Sequence, residues 1–170
     1  KVDNGARHEV VDGFMLGDTI FATVDGQPSS DAGLDPGDDG VELGVLTAGY
    51  GADIVVVAHG IAAGRAGYLD AWIDFNADGD WNDPGEQIFD AEPLVEGTNS
   101  FPATIVTIID GDPVITFGPV VVPSTAVVGT TFARFRFSST GGLSPTGPTA
   151  DGEVEDYQVT INANPWQNPL

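Results

Sequence analysis

The chain has 170 residues, 41% of them hydrophobic, and carries 26 Asp plus Glu against 5 Lys plus Arg, a formal net charge of −21. That length is enough for one domain with a sizeable core, while so acidic a chain excludes nucleic acid, which needs basic residues to displace its counterions, and disfavours anionic membrane surfaces. Charge at this density either serves as a solubilising surface or is relieved by bound cations.

Cysteine is absent, so nothing can be stapled by disulfides, and in a secreted protein calcium is the obvious substitute. No apolar run approaches the ~20 residues that span a membrane, so no direct membrane insertion is expected. The start, Lys1-Val2-Asp3, shows no signal-peptide pattern. The end, "NANPWQNPL", is polar and Pro-rich and reads as a linker. The expectation is one module of a longer protein: residues 1–161 as a single unit, with 1–40 packed on a core of 41–161, and 162–170 as the linker.

Glycine (23) and proline (12) are spread throughout, and the apolar segments are short and rich in Val, Ile, Thr and Phe. No window keeps a helical period. In chain order the expected strands are Glu9–Leu16, Thr19–Val24, Val41–Leu46, Ile54–His59, Tyr68–Phe75, Ala103–Ile109, Val114–Phe117, Thr131–Ser138 and Val154–Ile161. Asp110-Gly111-Asp112-Pro113 reads as a hairpin turn. So many short strands predict an all-β, two-sheet antiparallel sandwich with long acidic loops.

In Tyr68–Phe75, the residues Leu69, Ala71, Ile73 and Phe75 alternate with Tyr68, Asp70, Trp72 and Asp74. Ala133, Phe135 and Phe137 alternate in the same way with Arg134, Arg136 and Ser138. The first set of each should face the core and the second outward. If the strands are neighbours, two of the five basic residues lie beside Asp70 and Trp72, in ion pairs and Arg–aromatic stacks.

After Tyr68–Phe75 comes "DFNADGDWNDPGEQIF". Calcium takes six to eight hard oxygens. Asp74, Asn76 and Asp78 stand at positions 1, 3 and 5 of an EF-hand-like loop, with Gly79 at position 6 and Asp80 at position 7. The pattern then departs: position 12 is Gly85, the glutamate is Glu86, and Asp83 and Pro84 intervene. A strand precedes this loop where an EF-hand has a helix. Phe75 and Trp81 flank the ligands as anchors. A second acidic loop, with Asp31, Asp35, Asp38, Asp39 and Glu42, has no fixed spacing; Asp38 and Asp39 are its candidate metal ligands.

In "DGEVEDYQVTI", Glu153 and Glu155 share the parity of Tyr157, Val159 and Ile161, and Asp156 has the opposite parity. Two readings compete for this cluster: Glu153, Glu155 and Asp156 cap a metal held in a neighbouring loop, or they pair with Arg134 or Arg136.

Gly152-Glu153-Val154-Glu155-Asp156 spells the motif for which GEVED domains are named. Together with "YLDAWIDFNADGDWNDPGEQIF" and "ARFRFSSTGGLSPTG", the chain resembles that family from about Val41 to Ile161. The part before it resembles the segment that often precedes the domain in large secreted bacterial surface proteins. The resemblance implies a β-sandwich module of an extracellular or cell-surface multidomain protein, partnered by neighbouring domains or by an extracellular glycan or protein. It carries the motif onto Asp74, Asn76, Asp78, Asp80 and Glu86, and onto Glu153, Glu155 and Asp156.

The expected function is therefore a calcium-binding, non-catalytic structural or adhesive module with Ca²⁺ as its cofactor. The alternative is a carbohydrate-binding module that stacks sugars on Trp72, Trp81, Tyr50 or Tyr68. An enzyme is not expected: only His8 and His59 offer imidazole, there is no thiol, and "GGLSPTG" lacks the spacing of a nucleophile elbow.

Overall fold

The computed structural model describes residues 5–20, 37–61, 66–94, 105–109 and 112–166, and among these there is no helix. Ten strands follow in chain order: β1 (Arg7–His8), β2 (Val41–Leu43), β3 (Gly51–Val57), β4 (Gly67–Ile73), β5 (Gln87–Leu94), β6 (Ile105–Ile109), β7 (Asp112–Val121), β8 (Gly129–Ser138), β9 (Pro148–Thr149) and β10 (Glu153–Ile161). Two four-stranded antiparallel sheets, ordered β10-β8-β4-β5 and β2-β3-β7-β6, make the sandwich. A short parallel ribbon joins β1 to β9. The all-β, two-sheet architecture is the one the alternation predicts.

The inner faces supply one core. Leu69, Ala71 and Ile73 of β4 and Ala133, Phe135 and Phe137 of β8 cluster with Ile54 and Val56 of β3 and Ile115 and Phe117 of β7. Phe89 of β5 meets Phe117 of β7 with ring centroids 4.7 Å apart. Each of the Leu, Ile, Val and Phe side chains, fully buried, contributes about 1.5–3 kcal/mol of transfer free energy.

The outer face of β4 and β8 has the expected parity but is not exposed. Asp70, Trp72, Arg134, Arg136 and Ser138 are all buried, because the chain between β8 and β9 folds back over them. The Arg134 guanidinium donates to the Pro145 carbonyl at 2.7 Å, and that of Arg136 donates to Ser144, Thr146 and Gly147 carbonyls. Asp70 accepts from the backbone of Leu143 at 3.1 Å and of Ala91 at 2.8 Å. Arg136 does lie opposite Asp70, and Arg134 opposite Trp72.

The Glu9–Leu16 segment and β5 differ from expectation. Glu9–Leu16 is not a strand: after β1 the chain turns, and Leu16 makes an isolated bridge to Ala58. Phe14 and Leu16 reach the core by insertion, Phe14 stacking on Phe137 at 4.4 Å. β5 was not foreseen, because Asp90 and Pro93 break its alternation. Proline is tolerated there since β5 is the edge of its sheet, and a left-handed Ala91 (φ 49°) bulges the strand. The Thr19–Val24 strand and the turn at 110–111 fall largely outside the described residues, although the register Ile109↔Asp112 makes β6 and β7 a hairpin. At the other end, Asn162 is tied to Leu46 and Ala48 by backbone hydrogen bonds of 2.9 and 3.0 Å.

Candidate metal centre

β4 ends at Ile73, and the chain needs thirteen residues, Asp74 to Glu86, to return as β5. The base of this loop is fixed by the sandwich. The Asp74 backbone donates to Phe132 at 3.0 Å and its carbonyl accepts the Thr131 hydroxyl at 2.7 Å, while the Phe75 carbonyl accepts Val127 N–H at 2.8 Å. Glu86 closes the loop: its carbonyl accepts Ile73 N–H at 2.9 Å and its Oε1 accepts Phe75 N–H at 3.1 Å. Asp74 and Glu86 are therefore buried, at 3% and 2% exposure.

Above that base the alternating polar residues fold the loop on themselves. Asp74 accepts from the backbones of Asp78 and Gly79, Asn76 from Asp78, Asp78 from Asp80, and Asp80 from Asn82. These local side-chain-to-backbone bonds are what Asp and Asn offer in place of helix or ladder. The chain turns through two left-handed residues, Ala77 (φ 58°) and Gly79 (φ 93°); the second conformation favours a residue without Cβ.

The result gathers carboxylates. One oxygen from each of Asp78, Asp80 and Asp83 lies within 4.8 Å of the others, all three side chains exposed. The Asn76 amide nitrogen bridges Asp78 and Asp83 at 3.1 and 2.6 Å, placing the positive end of a dipole between two anions. Burial raises the pKa of Glu86 above the ordinary carboxylate value, and the charges of Asp74 and Asp83 add to that rise against backbone N–H donors that oppose it. The converging carboxylates are hard, anionic oxygen donors, which suit calcium and offer nothing to a soft metal. Of the residues the spacing singles out, Asp78 and Asp80 converge, while Asp74 and Glu86 are buried at the base of the loop and Asn76 hydrogen-bonds Asp78. Asp83 joins them, and sequence reasoning left it out because the EF-hand pattern gives that position no ligand; the signal was the Pro84-Gly85 turn that folds it back.

Glu153, Glu155, Asp156, Asp38 and Asp39 lie elsewhere. Glu153 pairs in register with Phe137, and Phe137 with Leu69. Asp74 follows Leu69 by five residues, about 17 Å along the strand. Glu153 Oε2 accepts Leu16 N–H at 2.9 Å. Glu155 Oε1 accepts the N–H groups of Asp39 and Gly40 at 3.1 and 2.8 Å, and its Oε2 the Tyr157 hydroxyl at 3.1 Å. Asp38 accepts Asp156 N–H, and Asp39 accepts from Asp18 and Thr19. Burial, compounded by the neighbouring carboxylates, pushes Glu153 up to about 9 and Glu155 up to about 8. Asp31 and Asp35 lie outside the described residues.

Of the two readings of this cluster, the arginine pairing applies to Asp156 alone. Arg134 holds it with two hydrogen bonds of 2.7 and 2.6 Å. Arg136 turns instead to carbonyls and to His8, which burial brings down to about 3, so that its imidazole stays neutral and accepts from Arg136. Gly152, first residue of the motif, has φ 85°, and a Cβ there would collide with the Phe137 carbonyl.

Two of the four aromatic candidates for sugar stacking are committed elsewhere. Trp72 is 2% exposed, so it offers no face to a ligand; the folded-back segment is the reason. Trp81 has the Arg134 guanidinium over its ring, 4.5 Å from the centroid. Tyr68 is half-buried and Tyr50 is exposed.

No curated protein matches the chain. The family model for the GEVED domain matches residues 68–160, from the start of β4 to the end of β10 and so across both the loop and the Gly152–Asp156 motif, and the chain belongs to the GEVED domain family.

Proposed function

We propose that this chain is a calcium-stabilised, non-catalytic module with a structural or adhesive role in a secreted or cell-surface bacterial protein. The observation that carries the reading is the loop between β4 and β5, where the carboxylates of Asp78, Asp80 and Asp83 converge above the buried Asp74 and Glu86. Asp74, Asn76, Asp78, Asp80, Asp83 and Glu86 would hold the ion. Bound there, calcium supplies charge neutralisation and a fixed shape for the loop, and it takes no part in chemistry. In a calcium-rich medium such a site functions at only ~10⁻⁴–10⁻³ M.

The test is a calorimetric calcium titration of EDTA-treated protein, repeated with magnesium. Saturable binding of calcium, with magnesium weaker by tenfold or more, supports the reading. Titrations that return only dilution heat for both ions sink it.

A further inference from the structure

We infer that Asp156, Arg134 and Trp81 form a brace that sets the shape of the Asp74–Glu86 loop and, with it, the loop's affinity for calcium; this rests on the calcium reading above.

Between Asn76 and Asp83 every hydrogen bond of the loop stays within it, apart from one long contact of 3.5 Å from the Trp81 indole to the Phe132 carbonyl. Asp74 and Glu86 tie the backbones of Asp78, Gly79 and Asp83 to the base of the loop, and Trp81, which sits between Asp80 and Asp83, joins the outer part of the loop to the sheet directly. What fixes Trp81 is the guanidinium of Arg134, 4.5 Å from its ring centroid.

Arg134 is itself locked. Its Nε and one terminal nitrogen grip Asp156 at 2.7 and 2.6 Å, and the other terminal nitrogen donates to Pro145 at 2.7 Å. Arg134 is the register partner of both Asp156 and Trp72, so three strands line up beneath the guanidinium. The Asp156 backbone is held in turn by Asp38 at 3.3 Å. A planar, bidentate, stacked guanidinium is a geometry that lysine cannot reproduce. Asp156 also balances the cation, so that no free positive charge faces a loop meant to hold another.

Residues that orient ligands without touching the metal shift affinity by roughly 10–100-fold when removed. The expectation here is a loss near the lower end, about tenfold, because Trp81 is only partly buried. It follows that the last acidic residue of the family's motif acts on the loop through Arg134 and Trp81.

The test is the calcium dissociation constant at 25 °C of wild type, Arg134→Lys, Asp156→Asn, Trp81→Ala and Trp81→Phe, each first checked for native far-ultraviolet circular dichroism. The brace predicts about tenfold weaker binding for the first three variants and recovery of most of the loss in Trp81→Phe, which restores a ring under the guanidinium. A purely structural role lowers the melting temperature in EDTA and leaves the dissociation constant alone. Trp81→Ala spares the buried Arg134–Asp156 pair and keeps the comparison available if either partner's variant fails to fold. Calcium binding by wild type with equal constants in the folded variants overturns the brace alone; absence of binding by wild type overturns the calcium reading and the brace together.

Discussion

Asp74 has two duties that a single substitution can separate. Its carboxylate accepts two backbone N–H groups, from Asp78 and Gly79, and it is a proposed metal ligand. Asp74→Ala should therefore destabilise even the metal-free protein, by about 1–3 kcal/mol, since two partly buried donors lose their acceptor. Asp78→Ala, at an exposed side chain, should cost under about 1 kcal/mol without metal. Both should abolish the calcium response. Urea denaturation in EDTA and in calcium separates the two effects. If Asp74→Ala is silent in EDTA, the Asp74 carboxylate does not hold the Asp78 and Gly79 backbones.

Glu92 offers the opposite case. It is 9% exposed on β5, its Oε1 is without a hydrogen-bond partner among the described residues, and burial raises its pKa. Replacing it with leucine should stabilise the domain by about 1 kcal/mol at pH 7, because an unsatisfied polar group is removed from the interior. The gain should shrink at pH 4, below the ordinary 4.5, where the carboxyl is largely protonated in both folded and unfolded chains. Chemical denaturation at the two pH values decides it; a destabilised variant at pH 7 would mean that Glu92 is solvated or paired. At this scale Asp74, Asn76 and Asp78 were legible because their spacing is local. Asp83 and Glu92 were not, because their surroundings depend on a turn and on an edge strand that the sequence pattern hides.

Among the elements, β10 ties the family motif to the start of the chain. Glu153 and Glu155 hold the backbones of Leu16, Asp39 and Gly40, and Phe14 and Leu16 insert into the core. β3, central in its sheet between β2 and β7, also precedes the family-matched residues 68–160. Residues 68–160 made alone should therefore be unfolded or aggregated by circular dichroism and light scattering, whereas residues 5–166 fold. A cooperative melt of the shorter fragment would contradict this.

The same two glutamates give a pH dependence whose sign is fixed. Their folded values, raised to about 9 and about 8 from the ordinary 4.5, mean that the native state keeps protons the unfolded chain has lost. Stability is then greatest below 4.5 and is lost as pH rises toward 9. The low value of His8 acts only below its ordinary 6.5, in the opposite direction. The window from pH 6.5 to 9 thus isolates the pair: in EDTA the melting temperature should fall across it, and Glu153→Gln should flatten the slope. A flat wild-type profile would show that both carboxylates are ionised throughout. The strands β4, β8 and β10 were legible from strict alternation. The N-terminal segment was misread as a strand because Phe14 and Leu16 look periodic, and nothing local reveals that they insert individually.

For the whole molecule, a net charge of −21 works against compactness through self-repulsion, and the fold concentrates part of that charge at the loop after β4. The sandwich and its inner faces followed from the sequence, as did the neighbouring placement of the arginines and Asp70. The cover over the outer face did not, because a Gly/Pro segment such as "STGGLSPTG" carries no periodicity to say where it lies. That cover buries Trp72, and its Pro145 carbonyl helps hold the Arg134 guanidinium over Trp81, which favours the proposed brace over a sugar-stacking surface.

The most direct measurement is thermal unfolding of the EDTA-treated protein with calcium added, against magnesium and against sodium chloride at equal ionic strength, alongside Asp74→Ala and Asp78→Ala. Calcium alone should raise the melting temperature by several degrees, since a ligand bound only to the folded state at a hundred times its dissociation constant adds about 2.7 kcal/mol, and both variants should lose that rise. An equal rise with all three salts, or none with calcium, would contradict the calcium reading and leave the loop as solvated acidic surface.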